Sequence, residues 1–355
     1  MTDTDDEYRP GLEGVVAELA TQATIEETLF LLYEDRLPTP DERESLRASL
    51  AANRTLPAEA LAAVRATAEA GGDAMDALRA AVGAAHVDYE PGDPAADALR
   101  AAAVVPTAAA AYWRYHENEE PLAPNPDLRH AADYLRMLTG EAPAERAVRG
   151  IETYLNAVVD HGFNASTFTA RAIVSTESDV LSGVTGAIGA LKGPLHGGAP
   201  GPVLDMLEEV HESGDPEGWV HDRLDAGERL MGFGHRVYRV RDPRAAVLST
   251  AAEAFYAEDD AGFFESATEF ESVARDVLRE RKPDHRLDTN VEFYTAVLHA
   301  GIGIPRELFT ATFAVGRVGG WTAHALEQLE NNRIVRPRAR YVGAEGRRYV
   351  PDDER

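Results

Sequence analysis

The sequence predicts a mainly α-helical protein, and three observations lead there. Ala, Leu, Glu and Arg dominate, runs of β-branched residues are short, and several segments open with paired helix-start residues. In chain order, Thr24 and Glu27 form a candidate capping box ahead of the apolar run from Leu29 to Leu32. Thr39, followed by Pro40 and then Glu42, starts a second helix whose Leu46 and Leu50 share a face. The Ala-rich run from Ala101 to Ala111 is broken by Pro106 and preceded by Arg100. Gly183, Gly186 and Gly189 mimic the spacing of a phosphate loop, but no strand precedes them, and the helical context points to close helix packing. Asp242 and Pro243 repeat the start signal. Strand signals are few; the tail from Ala339 to Val350 is expected to hold a short hairpin. The segments Asp88 to Pro94, Pro121 to Leu128, Gly197 to Pro202 and Lys282 to Asp288 read as loops, the last two suited to hinges. Residues Met1 to Arg9 are expected to fray.

With 355 residues, 44% hydrophobic and 27% charged, the chain can bury one large core or two unequal ones. No apolar stretch is long enough to span a bilayer. The acidic start MTDTDDEYRP lacks the basic and apolar character of a signal or transit peptide, so a soluble cytoplasmic protein is expected. The absence of cysteine excludes disulfides, thiolate zinc sites and cysteine nucleophiles. The formal charge is −26, and Lys192 and Lys282 are the only lysines. Such self-repulsion weakens a compact state at low ionic strength and is screened at molar salt, where the Debye length falls to about 3 Å. A salt-adapted host accounts for this, as does an ordinary acidic protein from a GC-rich genome.

Three histidines stand among glycines or small residues: His161 in DHGFNASTFTAR, His196 in LKGPLHGGAP and His235 in MGFGHRVYRVRDPRA. Glycine lets backbone and ligand approach closely, which suggests clefts, although any one histidine among eleven is more often an ordinary surface or core residue. Arg236, Arg239, Arg241 and Arg244 crowd one short segment of a chain with 61 acidic against 35 basic residues. Planar guanidinium forks there suit carboxylates or phosphates, and salt bridges to surplus surface acids suit them equally. Arg317 lies in GRVGGW, and Arg333, Arg336, Arg338 and Arg340 cluster in NNRIVRPRAR. A nucleic-acid patch is disfavoured by the global acidity and the lack of any recognition motif. Glu292, between Val291 and Phe293, is either a partly buried general base with a raised pKa or a plain N-terminal helix acid after Asn290. HExxH, Walker and nucleophile-elbow patterns are absent.

In this order, DHGFNASTFTAR, GPLHGGA, GFGHRVYRVRDPRA, NVEFYTAV, FAVGRVGGWTAHALEQ and NNRIVRPRARYVG resemble the successive signature segments of citrate synthases. GLEGV at Gly11 to Val15, LPTPDE at Leu37 to Glu42 and the stretch from Val105 to Gly140 resemble the family's N-terminal half, so the likeness runs from Gly11 to Gly343. The resemblance implies an all-α fold in which residues 1–197 and 298–355 form a large domain and residues 198–297 a smaller one that closes over it. It implies at least a homodimer, acetyl-CoA or another short acyl-CoA and oxaloacetate as ligands, and no metal, cofactor, nucleic acid or membrane. It assigns proton removal from the acyl methyl group to Glu292, support of the enol oxygen to His196, and polarisation of the oxaloacetate carbonyl to His235. His161, Arg244 and Arg317 would meet the oxaloacetate carboxylates, with Arg336 supplied by the neighbouring subunit. Met231, Gly232, Gly234, Arg239 and Arg241 would touch CoA.

Four departures mark a diverged paralogue. The family has aspartate where Glu292 stands, and the extra methylene moves the carboxylate by about 1 Å, a misplacement that can cost on the order of a hundredfold in rate. A segment usual in the family is missing between Val15 and Thr24, which bears on assembly more than on chemistry. Val158 replaces a histidine, and Pro200 stands where asparagine is common. The leading expectation is citrate formation with hydrolysis of the thioester. Behind it stand 2-methylcitrate formation from propionyl-CoA, a regulatory homologue weakened by Glu292, and lyase activity on citryl-CoA with the same residues.

Overall fold

The computed structural model describes residues 18–87, 89, 92–197, 200–234, 242–257, 262–283 and 287–355. Among them no strand forms, and one isolated antiparallel bridge pairs Phe233 with Thr289. Helix α1 (Ile25–Glu34) opens as the sequence predicts: Thr24 Oγ1 accepts from Glu27 N at 3.3 Å while the Glu27 carboxylate accepts from Thr24 N at 2.8 Å. Helix α2 (Pro40–Asn53) repeats the box with Thr39 and Glu42 and takes Pro40 at its first position, where no N–H is needed. Leu50 is buried and Leu46 packs against the same core.

Helices α3 (Ala58–Glu69) and α4 (Ala74–Ala84) lead into α5 (Pro94–His116), which runs through Pro106 without a break. Proline leaves the carbonyl four residues back without its helical donor. Here that carbonyl is Ala102 O, and the buried His130 ring donates to it. Burial and the nearby Arg54 push His130 down to about 3, so the ring stays neutral. With alanine on nearly every face, α5 is buried along most of its length.

Helices α6 (His130–Thr139), α7 (Glu145–Val158), α8 (Ala165–Val174) and α9 (Val180–Leu191) follow, and α8 and α9 pack closely. A Cβ on Gly186 would lie 2.2 Å from Ile173 Cδ1 and one on Gly183 2.9 Å from Val174 Cγ1, which bears out the packing reading for these two glycines, whereas one on Gly189 would meet only Arg79 Cδ at 3.9 Å. Helices α10 (Pro200–Ser213), α11 (Pro216–Asp225), α12 (Pro243–Tyr256) and α13 (Gly262–Arg281) form a second packed group, against which α14 (Val291–Ile302) lies. The final long helix, α15 (Phe309–Glu330), returns to pack on α5, α7, α8 and α9.

Two readings need correction. Residues 200–202, expected in a loop, begin α10, because prolines are tolerated in a first helical turn. Residues 339–350 form no hairpin; they run without pairing, their side chains exposed, and a lone pair of strands is marginal without a third element to cover one face. Residues 121–128 are irregular, as expected. No helix of the described residues is long and apolar enough to cross a membrane.

Candidate active site

The site is built where the start of α14 meets two turns. Asn290 caps α14 by accepting from Glu292 N at 3.0 Å, and its other side-chain atom donates to Gly234 O at 2.9 Å. Asn290 N donates to Gly232 O at 2.9 Å, and Gly234 N donates to Asp288 O at 2.7 Å. The turn through Met231, Gly232 and Gly234 is thereby stitched to the residues that lead into Glu292. Gly232 has φ +80° and Gly234 φ +86°, and a Cβ on Gly232 would stand 3.1 Å from the Phe293 ring. Glycine is required on both counts.

Residues 235–241, with His235, Arg236, Arg239 and Arg241, lie outside the described residues. The residues flanking them are well placed: Gly234 N bonds Asp288 O, and Asp242 N bonds Thr289 O at 3.2 Å. Gly234 and Asp242 are therefore both bonded to residues just before the N-terminus of α14.

Asp242 caps α12 by accepting from Arg244 N at 3.0 Å, and it also grips the Arg244 guanidinium at 3.1 and 2.8 Å. Both residues are buried, and the two-pronged contact fixes the plane of the guanidinium. Arg317, 1% exposed in the middle of α15, donates through Nε to Val158 O at 2.6 Å and stacks over Phe313 at 4.8 Å. Small residues permit this: a Cβ on Gly316 would lie 2.7 Å from Val158, and one on Gly320 would lie 2.2 Å from Val159 O. The helix thus settles directly onto the end of α7. Val158, where a histidine was expected, contributes its carbonyl to hold Arg317.

Burial, with Arg244 nearby, lowers the Arg317 pKa to about 10. Two buried cations repelling each other favour an anionic guest. Glu292 as a whole is half-buried, and its carboxyl sits deep among protein atoms, so loss of hydration dominates and pushes it up to about 7. Arg244 and Arg317 pull it down and Asp242 pushes it up, so it shares one electrostatic neighbourhood with both arginines. A carboxyl in this range is half ionised near neutrality, as a general base requires.

His196 lies half-buried in the turn after α9, with Nε2 2.8 Å from Ser166 Oγ. Ser166 also donates to Asn164 Oδ1 at 2.8 Å and accepts from the Trp321 indole at 2.9 Å. Burial and Arg317 lower the His196 pKa, which favours the neutral ring. Its ring meets Phe313 edge to face at 6.5 Å, so Phe313 touches both His196 and Arg317. His161 is half-buried in the turn between α7 and α8. It follows Asp160, which bonds His324 at 3.2 Å and lies near Arg317.

His196, Arg317, Arg244 and Glu292 are thus brought together, with Met231, Gly232 and Gly234 alongside. Arg336 is not: it is exposed in the segment after α15, next to Val335, whose N–H is held by Ser175 at 2.9 Å. Ser166, Asp242, Phe313 and Trp321 went unnoticed in the sequence as site residues. Each acts through a partner far along the chain or through a role that looks like simple capping, and only the location of all four within the histidine and arginine motifs hinted at them.

A family model described as citrate synthase, C-terminal domain, matches residues 13–338. The chain is 42% identical to a citrate synthase of Haloferax volcanii over 96% of this chain and 91% of that one. Among solved structures, it is similar to a citrate synthase from Pyrobaculum aerophilum (TM-score 0.84, 35% identity, 96% of this chain and 88% of that one). It is also similar to a citrate synthase from Thermoplasma acidophilum, solved in a ternary complex with carboxymethyl coenzyme A and oxaloacetate (TM-score 0.84, 31% identity, 95% and 90% covered).

Proposed function

The chain belongs to the citrate synthase family, and we propose from the build of its cleft that it condenses acetyl-CoA with oxaloacetate and hydrolyses the thioester, with Glu292 taking the methyl proton. The fold is the all-α, two-domain fold of that family. It is an enzyme of the acyltransferase type. The observation that supports the residue assignment is a carboxyl that burial pushes up to about 7 within the electrostatic reach of the buried Arg244 and Arg317.

Removing a proton from a thioester methyl group builds charge on the carbonyl oxygen, so a base and a donor must act together. Glu292 is the base and neutral His196 the donor. The resulting enol attacks the oxaloacetate carbonyl, which His235 polarises. His161, Arg244 and Arg317 receive the carboxylates, and Arg336 of the partner subunit completes the anion site. Gly234 and Asp242, which border the segment of His235, Arg239 and Arg241, are bonded beside α14, and Met231, Gly232 and Gly234 are assigned to the CoA path. Water then releases CoA from the citryl thioester. Every step is carried by side chains, without metal or further cofactor.

Residues 1–197 and 298–355 form the large domain in this reading, and 198–297 the small one that closes to exclude water. The working unit is a homodimer at the least, in keeping with an exposed C-terminal tail that carries Ile334, Tyr341, Val342 and Tyr349. A soluble, cytoplasmic setting fits the charge of −26, and molar salt would screen its self-repulsion.

The test is thiol release from acetyl-CoA or propionyl-CoA with oxaloacetate, in molar salt, for the native chain, Glu292→Asp and His196→Ala. Native turnover that collapses in His196→Ala supports a working synthase. Turnover only in Glu292→Asp would instead identify a homologue disabled by its longer acid. A higher kcat/KM with propionyl-CoA would move the assignment to 2-methylcitrate formation; the two acyl groups differ by one methylene, worth about 1–3 kcal/mol in a pocket. If oxaloacetate fails to raise the Tm of any of these proteins, the anion site itself is misassigned.

A further inference from the structure

Behind the cleft, on α13, lies a buried carboxylate with no part in the reaction as described. Glu271 is 8% exposed, and each of its two oxygens accepts from a hydroxyl: Thr289 Oγ1 donates to one at 2.5 Å and Tyr294 OH to the other at 2.5 Å. Both donors are themselves buried at 1% exposure. Hydroxyl-to-carboxylate bonds of this length are at the short, strong end of the range.

The two donors bracket the first turn of α14. Thr289 stands just before the Asn290 cap and Tyr294 just after Glu292, so a single carboxylate holds the chain on both sides of the base. Thr289 has further duties: it forms the bridge with Phe233, and its carbonyl receives Asp242 N, the residue that orients Arg244. Next to this grip, Phe233, Phe270 and Phe293 meet one another with ring centroids 5.6 to 6.3 Å apart, and Trp219 meets Phe270 at 5.7 Å. These rings pack around the helix start, and the two hydrogen bonds to Glu271 tie it to α13.

We propose that Glu271 is a positioning residue that sets where Glu292 stands in the cleft, acting through Thr289 and Tyr294 rather than by touching substrate. The proposal rests on Glu292 being the base. A longer acid places its carboxylate further along its own axis, so the reach of Glu292 into the cleft depends on where the backbone of its turn is pinned. A misplacement of about 1 Å, arising away from the reacting atoms, can cost on the order of a hundredfold in rate.

The experiment compares kcat and the KM for acetyl-CoA in the native chain, Glu271→Gln, Tyr294→Phe, Thr289→Val, Glu292→Gln and, as a core control on the same helix, Val277→Ala. All are assayed well below their own Tm. Glu271→Gln is expected to lower kcat roughly tenfold to a hundredfold with KM changed less than about twofold, and Tyr294→Phe and Thr289→Val by smaller factors, as single prongs of the grip. Tyr294→Phe added to Glu271→Gln should then cost less than it costs alone. Val277→Ala should lower Tm and leave kcat as it is. Should Glu271→Gln fail to fold, the Tyr294→Phe and Thr289→Val proteins decide the matter. Native kcat in these variants, beside an inactive Glu292→Gln, overturns the positioning role alone; an active Glu292→Gln overturns the assignment of the base on which it stands.

Discussion

Glu152 on α7 and Glu292 on α14 both carry carboxyls pushed up by burial to about 7, yet their surroundings are built differently. Glu152 is fully enclosed, with Arg129 at 3.5 Å and Arg149 at 3.4 Å. Neither arginine is devoted to it. Arg129 binds Glu145 at 2.6 Å, and Arg149 donates to the carbonyls of Ala20 and Ala23, fastening the N-terminal segment to α7. Glu292 is half-buried, within the electrostatic reach of two buried arginines held in place by Asp242 and by Val158 O. An elevated carboxyl pKa is therefore a measure of dehydration, shared by a structural acid and the proposed base. What separates them is access to a guest and the presence of cations aimed at the same space.

Replacing each acid with its amide is the sharpest way to break this comparison. Glu292→Gln is expected to lose on the order of a thousandfold in kcat, the range of a lost general base. Glu152→Gln should stay within about threefold of native. Equal losses in the two proteins, read by thiol release, would erase the distinction. Next in size is the donor: His196→Ala should cost roughly a hundredfold to a thousandfold in kcat, the scale of a missing oxyanion donor, with a smaller effect on KM. Arg317→Gln and Arg244→Gln should act mainly on oxaloacetate, raising its KM roughly tenfold to a hundredfold, since charged hydrogen bonds are worth about 1.5–3 kcal/mol. The matching substitution Arg149→Gln should leave that KM alone and loosen the N-terminal segment, which hydrogen exchange of residues 18–24 would report.

Stability is the place where the two acids should behave alike. A carboxyl raised from 4.5 to about 7 on folding binds its proton more tightly in the folded state. Its favourable contribution is complete below pH 4.5 and is lost as the pH climbs through 7, a span worth about 3 kcal/mol per group before any relaxation. Glu152→Gln and Glu292→Gln should each remove part of that decline, so each variant gains on the native protein at pH 8 relative to pH 4.5. Melting curves across this range check it. A decline that persists unchanged in both variants would place the responsible protons elsewhere.

The legible parts of the fold were those whose causes are local. Thr24 with Glu27, and Thr39 with Glu42, declare helix starts because the cap and its partner lie within one turn. Glycines at helical spacing declared the contact of α8 with α9. That a helix runs through Pro106 was not legible, because the group that satisfies Ala102 O comes from His130 on another helix. The site was legible to the same degree. Its arginines and histidines stand out by type and setting, whereas Ser166, Trp321 and Glu271 matter through partners more than twenty residues away or on separate helices, and no spacing announces them. Glu292 showed both sides at once: it is the helix-start acid that Asn290 suggested and the buried carboxyl that its apolar neighbours suggested.

The most direct measurement is the pH dependence of kcat/KM, which reports ionisation of the free enzyme. If Glu292 is the base, the native profile should rise with pH and level off above about 7, and Glu292→Gln should lie far below it with that rise gone. A Glu292→Gln protein that turns over at the native rate with the same inflection would contradict the account.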